Sequence, residues 1–243
     1  MLTNQDFLDK ILDSFKVFIT VGTSRSTAKL KPLHGAIAAD IAERLGNGYY
    51  VKSQGYDDGK EAKMEGRYVD KKVDITIKEN GTDRTVAGIA VKFVMQNYSQ
   101  NSNNYFENML GETANIRTAN CPYFQIFIVF DKLPYYNNKG VLSKWEKFND
   151  HNISKYCKLS DDDSELFYHT PNKTLIFVVH AIPEITEDDA VDTRAGYLKY
   201  YKANAPHLQM TRHQYSDIKP GGTVILNDYE KFMDKVYHTI MAR

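Results

Sequence analysis

The chain has 243 residues, of which 42% are hydrophobic, and its 31 lysines and arginines balance its 31 aspartates and glutamates. This composition supports a sizeable core and excludes a histone-like polycation, an acidic tail protein and most disordered chains. A neutral total does not exclude a basic groove, so nucleic-acid binding stays open. Cys121 and Cys157 are too few for a disulfide framework or a thiolate-rich zinc site, and they fit a reducing compartment. The length predicts one domain over residues 1–243.

Membrane insertion is not indicated by the sequence. Its longest apolar runs fall far short of the roughly 18–20 residues that span a bilayer. Asp6, Lys10 and Asp13 interrupt the apolar residues of the N-terminus, which argues against a signal peptide. We therefore expect a cytoplasmic protein with no membrane partner.

Two helices are predicted at the start of the chain. Apolar residues recur with helical spacing from Phe7 to Ile19, and Pro32 stands at the start of a second helix that extends to about Leu45. A polar, basic stretch at residues 22–29 separates them. A strand is predicted at residues 49–54 and a loop at residues 57–66.

A β-hairpin is the clearest local feature. Residues 69–78 alternate, with Val73, Ile75 and Ile77 on one face and Asp74 on the other. The dipeptide at residues 80–81 is Asn-Gly, a strong turn signal, and residues 85–94 return as the partner strand.

The second half of the chain alternates between strands and helices. Buried strands are predicted at residues 123–130 and 174–182. Helices are predicted at residues 104–117, 145–156, after 183–189, and 229–241. The predicted fold class is α/β (α+β), a mixed central sheet with a β-meander flanked by helices.

Asp74 and Lys92 occupy the two strands of the hairpin, with Lys92 inside the segment Gly-Ile-Ala-Val-Lys-Phe. This arrangement resembles the active site of the PD-(D/E)XK nucleases, the restriction-endonuclease-like superfamily, and overall the chain is most similar to a type II restriction endonuclease. Residues 33–130 match the family's order of helix, β-meander, helix and strand. The resemblance implies a catalytic core at about residues 33–130, with DNA-recognition and structural elements at residues 1–32 and 131–243.

The resemblance also implies an activity, which is Mg²⁺-dependent, sequence-specific cleavage of double-stranded DNA to 5′-phosphate and 3′-hydroxyl ends. In the family's motif the aspartate and a second acid hold the metal, and the lysine serves the attacking water. Mg²⁺ prefers oxygen ligands, and a lysine can stabilise developing charge, so this division of roles is chemically sound. A homodimer would match the symmetry of a palindromic site.

The second acid is missing, because position 90 is Ala90 where the motif requires Glu or Asp. Three interpretations stay open: an engineered inactivating substitution, a naturally inactive or rearranged member whose acid comes from elsewhere, or a different superfamily. We expect the chain to be almost inactive and Ala90→Glu to restore cleavage. The alternative functions are another nuclease of this fold, acting in repair, junction resolution or phage defence, and a catalytically dead DNA-binding module.

Other acids are weaker candidates. Glu65, shortly before Asp74, is predicted as a metal ligand, although a surface charge in a loop is the competing interpretation. Asp40 and Glu43 lie one turn apart on the predicted second helix, and Glu112 lies on the helix after the motif. For Asp40 and Glu43 a solvated helix charge is the favoured interpretation, and for Glu112 a surface residue rather than a ligand.

Candidate DNA contacts surround the motif. Residues 96–104 are rich in amides, and Asn and Gln can make paired hydrogen bonds to adenine. The stretch is predicted as a loop over the scissile strand, with a polar loop and helix caps as the alternative. Lys29, in a basic loop with Arg25 and Lys31, and Lys72, beside Asp74, are predicted phosphate contacts. The candidates in the stretch are Gln96, Asn97, Tyr98, Ser99, Gln100, Asn101, Asn103 and Asn104.

Overall fold

The structure is a computed structural model that describes residues 1–22, 27–189, 191–215 and 221–243. Arg25, considered above as a phosphate contact, lies outside these residues. Within them the helices are α1 (Asn4–Val21), α2 (Lys31–Leu45), α3 (Tyr98–Arg117), α4 (Asp150–Asp161), α5 (Arg194–Ala203) and α6 (Tyr229–Met241). The strands are β1 (Tyr49–Ser53), β2 (Ala62–Met64), β3 (Lys71–Val73), β4 (Ile75–Glu79), β5 (Thr85–Val94), β6 (Tyr123–Phe130), β7 (Lys132–Tyr136), β8 (Leu142–Lys147), β9 (Lys173–Ile182), β10 (His207–Met210) and β11 (Val224–Leu226).

A mixed central sheet organises the fold. Its strand order is β1-β4-β5-β6-β9-β10, and β11 also pairs with β9. The strands β1, β4 and β5 form an antiparallel meander, whereas β5, β6 and β9 run parallel. The β2–β3 and β7–β8 pairs form two smaller sheets.

Helices cover both faces of the sheet, as alternate residues of β6 show. Phe124 contacts Phe232 of α6, whereas Phe127 contacts Tyr156 of α4 and Tyr98 of α3. Every residue of β6 is buried, as expected for a central strand with both faces covered. The predicted mixed sheet flanked by helices is confirmed.

Two segments differ from the sequence prediction. Helix α3 begins at Tyr98 rather than near residue 104, and residues 142–147 form β8 where the start of a helix was predicted. Both differences arise from contacts between distant residues. The Glu146 carboxylate of β8 accepts from the Ser99 backbone N–H at 3.3 Å, which caps α3, and the Tyr98 ring packs on Phe148.

The β-meander carries an interruption at Asp74, between β3 and β4. Ser53 of β1 spans it, since its hydroxyl donates to the Asp74 carbonyl oxygen at 2.7 Å. The preceding pair, β2–β3, lies partly in the predicted loop at residues 57–66. None of the helices in the described ranges is long and apolar enough to cross a membrane.

Candidate active site

Asp74 is held at the interruption by the neighbouring strand. Its Oδ2 accepts a hydrogen bond from the Val91 N–H at 2.7 Å. The β4–β5 pairing aligns Ile75 with Ile89, so continuing that register by one residue places Asp74 opposite Ala90. The motif positions of the two strands are therefore adjacent.

Asp74, Ala90 and Lys92 line one cavity of about 320 Å³. Residues 90 and 92 face the same side because strand side chains alternate. Glu112 of α3 and Gln125 of β6 complete its polar wall. The alternation of the two strands predicted that Asp74 and Lys92 face one cleft, as they do in this cavity. A catalytic role for either residue stays a prediction.

Burial sets the electrostatics of Asp74. Loss of hydration raises the pKa of its carboxyl, while the Val91 N–H and the positive charge of Lys92 act in the opposite direction. Lys92 is exposed, and its Nζ lies 4.6 Å from the centre of the Tyr105 ring. The cavity thus combines a partly desolvated carboxyl with a cation that an aromatic ring holds in place.

Ala90 contributes no ligand atom to the cavity. Its methyl group packs beside a small apolar cluster that includes Met64, Val73 and Tyr123. A metal ion in the cavity would need its second carboxylate from another residue.

Glu112 is a carboxylate that lines this cavity. Its side chain is 26% exposed, and its Oε1 lies 3.5 Å from the Lys71 Nζ. Burial raises the pKa of Glu112, Lys71 opposes the rise, and the charge of Asp74 adds to it. Glu112, expected from the sequence to be a surface residue rather than a ligand, is half-buried, because α3 packs over the sheet and directs this carboxyl toward the cavity.

Glu65, predicted as a metal ligand, lies away from Asp74, whereas Glu61 lies beside it. Ala62 pairs with Val73 and Met64 with Lys71, so Glu61 lies level with Asp74 while Glu65 lies at the far end of β2. Glu65 is exposed. Glu61, in contrast, belongs to a cluster with His34 and Asp74 in which one potential ligand atom from each residue lies within 4.8 Å of the others.

His34 enters this cluster from the first turn of α2. Its side chain is buried, and neither ring nitrogen has a hydrogen-bond partner. Burial lowers the pKa of the imidazole to about 4, so the ring is neutral at neutral pH. The next residue, Gly35, lies against the Gly55 carbonyl oxygen, and Gly55 has a φ of 82°. A side chain at either glycine would push α2 away from the loop after β1.

Asp40 and Glu43 lie away from the cavity. Asp40 is buried, where it accepts from the Tyr229 hydroxyl at 2.9 Å and from the Arg44 Nε at 3.2 Å. Glu43 pairs with the amino group of Met1 at the surface. Asp40 therefore joins α2 to α6, which corrects its interpretation as a solvated charge, whereas Glu43 is the surface residue that was expected.

A larger cleft of about 680 Å³ adjoins the cavity, since Lys92 and Tyr105 line both. Lys29 is buried, and burial together with repulsion by Lys92 lowers its pKa. Arg194 of α5 adds a further cation. Five of the predicted DNA contacts line this cleft: Lys29, Gln96, Asn97, Gln100 and Asn101.

Other predicted DNA contacts do not reach the cleft or are used within the protein. Tyr98 is only 2% exposed, so its predicted contact with DNA is corrected to a core role. The Asn97 amide donates to the Tyr136 carbonyl oxygen at 2.8 Å and accepts from the Tyr136 N–H at 2.9 Å. The side chain of Asn97 is therefore used in holding the end of β7. The remaining candidates are exposed without lining either space: Lys72, Ser99, Asn103 and Asn104.

Sequence reasoning missed His34 as a candidate ligand, and it missed Glu61 and Arg194 altogether. The residues beside His34 on α2 carry no motif, and Glu61 lies in a segment predicted as a loop. Only the register of the short β2–β3 pair brings Glu61 beside Asp74.

Comparisons of this chain with protein-family models, with curated proteins and with solved structures find no match. The site is therefore interpreted from its own geometry.

Proposed function

We propose that the protein is a metal-dependent, sequence-specific DNA endonuclease of the type II restriction type, built on a restriction-endonuclease-like core. One observation carries the proposal: Asp74 and Lys92, on neighbouring strands of one meander, line a single cavity beside a larger amide-lined and basic cleft. The mixed sheet flanked by helices supports the same fold assignment.

The proposed reaction is hydrolysis of a phosphodiester. A water oxygen attacks phosphorus, the bond from phosphorus to the 3′ oxygen breaks, and the leaving oxygen takes up a proton. The products carry 5′-phosphate and 3′-hydroxyl ends. Lys92 would orient the attacking water and stabilise the negative charge that develops on the phosphate.

The residues fit a divalent cation, because carboxylate oxygens are the ligands that Mg²⁺ prefers. Asp74 would hold the ion together with a carboxylate that replaces the missing acid of position 90. Two carboxylates qualify, Glu112 in the cavity and Glu61 in the cluster with His34. The bound cation would neutralise the scissile phosphate and lower the pKa of a coordinated water.

This arrangement favours one of the three interpretations of Ala90, the one in which the acid comes from elsewhere. Glu61 clusters with Asp74 and Glu112 lines the same cavity, so two carboxylates lie near Asp74 without any contribution from position 90. We therefore propose that the protein cleaves DNA with alanine at position 90.

The proposed DNA-binding surface is the larger cleft. Lys29 and Arg194 would contact phosphates, and the amides of Gln96, Gln100 and Asn101 would meet base edges. Because Lys92 lines both spaces, DNA in the cleft would pass the cavity. Two copies of the chain would read a palindromic site.

A catalytically dead DNA-binding module is the second candidate, and the absence of a carboxylate at Ala90 favours it. Plasmid DNA incubated with the protein and Mg²⁺ or Mn²⁺ separates the candidates. Discrete fragments that disappear in Asp74→Asn and Lys92→Ala support the proposal. Random or structure-selective nicking would indicate another nuclease of this fold. DNA binding without cleavage in either metal would indicate the module and overturn the proposal.

A further inference from the structure

His34 is a buried polar group that the rest of the protein leaves unsatisfied. It is 3% exposed, and both ring nitrogens lack a hydrogen-bond partner. Burying such a group without a partner is costly, so buried polar atoms in folded proteins almost always have one. The carboxylates of Glu61 and Asp74 form a cluster with this imidazole, so all three groups offer ligand atoms to one space.

We propose that His34, Glu61 and Asp74 form a binding site for a first-row transition-metal ion, such as Zn²⁺, Co²⁺ or Mn²⁺, in preference to Mg²⁺ or Ca²⁺. The site shares Asp74 with the proposed nuclease centre, and its relevance to cleavage rests on that proposed function. The binding of metal does not depend on it.

The spacing of the three groups suits one ion. Their potential ligand atoms lie within 4.8 Å of one another. Nitrogen and oxygen ligands lie about 2.0–2.2 Å from Zn²⁺, which separates neighbouring ligands by roughly 3–4 Å. Side-chain movements of about 1 Å would therefore close the group around an ion.

The surrounding structure holds each group in place. Gln54 Nε2 donates to the Glu61 carboxylate at 2.9 Å, and the Val91 N–H donates to that of Asp74 at 2.7 Å. Contact between Gly35 and Gly55 fixes the first turn of α2, which carries His34. Hydrogen bonds to ligating groups orient them and raise the affinity of metal sites.

The donor set determines which ion is preferred. An imidazole nitrogen suits transition-metal ions, whereas Mg²⁺ and Ca²⁺ take oxygen ligands almost exclusively. One nitrogen and two carboxylates leave at least one coordination position for water, the arrangement of catalytic rather than structural sites. Affinity should rise from Mn²⁺ through Co²⁺, with Zn²⁺ above Mn²⁺ and with Mg²⁺ weakest.

The test is titration of the metal-free full-length protein with Co²⁺, followed by visible absorption, and with Zn²⁺, Mn²⁺ and Mg²⁺ by calorimetry. We expect one equivalent of Co²⁺ to bind and Zn²⁺ to displace it. His34→Ala and Glu61→Gln should each raise the dissociation constant about tenfold or more. Glu61 is partly exposed, so Glu61→Gln tests the site without a risk to the core.

A second histidine provides the matched control. His213 lies at the surface, 3.3 Å from Asp150, and outside the cluster. The variant His213→Ala should bind Co²⁺ as the unchanged protein does. Circular dichroism of each variant confirms that it is folded.

The outcomes separate this inference from the proposed function. Loss of binding in His34→Ala and Glu61→Gln supports the site, even if no DNA is cleaved. No stoichiometric Co²⁺ binding, binding unchanged in folded His34→Ala and Glu61→Gln, or Mg²⁺ affinity equal to that for Zn²⁺ would overturn it. Mg²⁺-dependent cleavage that survives in both variants would leave the nuclease proposal standing without this site.

Discussion

The backbone N–H of Val91 donates to the Oδ2 of Asp74 at 2.7 Å, so β5 orients the carboxylate that precedes β4. Val91 lies between Ala90 and Lys92, whose side chains face the cavity. The same strand therefore supplies a backbone donor to the aspartate and a side-chain cation to the cavity. The sheet therefore fixes the Oδ2 of Asp74 in place.

The variant Ala90→Glu tests whether position 90 lacks a needed acid. If Glu61 or Glu112 already supplies the second carboxylate, the unchanged protein cleaves DNA. Ala90→Glu then changes the cleavage rate less than about tenfold, or about 1.4 kcal/mol of activation free energy. Cleavage rates with Mg²⁺ and Mn²⁺, on DNA that contains many sequences, measure this. If the unchanged protein is inactive and Ala90→Glu is active, position 90 must supply the second carboxylate, and the proposal that it comes from another residue is wrong.

If Glu112 supplies the second carboxylate, Glu112→Gln should lower the rate of cleavage about 100-fold or more, because it removes the charge of the ligand while keeping the shape of the side chain. Glu107, on the exposed side of α3, provides the control Glu107→Gln, for which we expect a change of less than about twofold. Single-turnover cleavage by both variants is the measurement. Equal rates in the two would exclude Glu112 from the reaction.

The variant Lys92→Ala should lower the rate of cleavage about 100-fold or more with little change in DNA affinity, since its charge acts on the transition state. Lys72→Ala removes an exposed lysine from the adjacent β3 and should leave the cleavage rate within about twofold. Rates and DNA affinities of both variants are compared. If both variants lose cleavage rate to a similar extent, the lysines would act by attracting DNA in general, and Lys92 would have no role at the reacting phosphate.

The variant Arg194→Ala should weaken binding to all duplexes and reduce the slope of log affinity against log salt by about 1, as loss of one phosphate contact does. Arg194 lines the larger cleft, whereas the exposed Asn103 does not. Asn103→Ala is therefore the control, with an unchanged slope. Fluorescence anisotropy over a range of salt concentrations measures both, and an unchanged slope for Arg194→Ala would place DNA elsewhere.

The variant Asp40→Ala should lower the free energy of unfolding by about 2 kcal/mol, because it leaves the buried Tyr229 hydroxyl without its acceptor and leaves Arg44 with Asp234 as its remaining partner. Glu43→Ala, which loses only a surface ion pair, should cost less than about 1 kcal/mol. Urea unfolding compares the two. A small loss for Asp40→Ala would show that the Tyr229 and Arg44 groups find other partners.

Several elements follow directly from the sequence. The Asn-Gly turn and the apolar alternation of the sequence predict the hairpin, the continuous apolar run at residues 123–130 predicts β6, and the apolar face of residues 229–241 predicts α6. Local periodicity predicts these elements because the side chains that each element buries recur at regular positions in its own sequence. The same alternation places Asp74 and Lys92 on one side of their strands.

Only the tertiary structure decides which other groups meet Asp74. Glu61 reaches it through the register of the short β2–β3 pair, His34 through contact between Gly35 and Gly55, and Glu112 through the packing of α3 on the sheet. Each of these placements depends on contacts between residues distant along the chain, which leave no local periodicity in the sequence. The sequence by itself therefore determined the hairpin and its two motif residues, whereas the remaining groups around Asp74 come together because three separate elements pack against that hairpin.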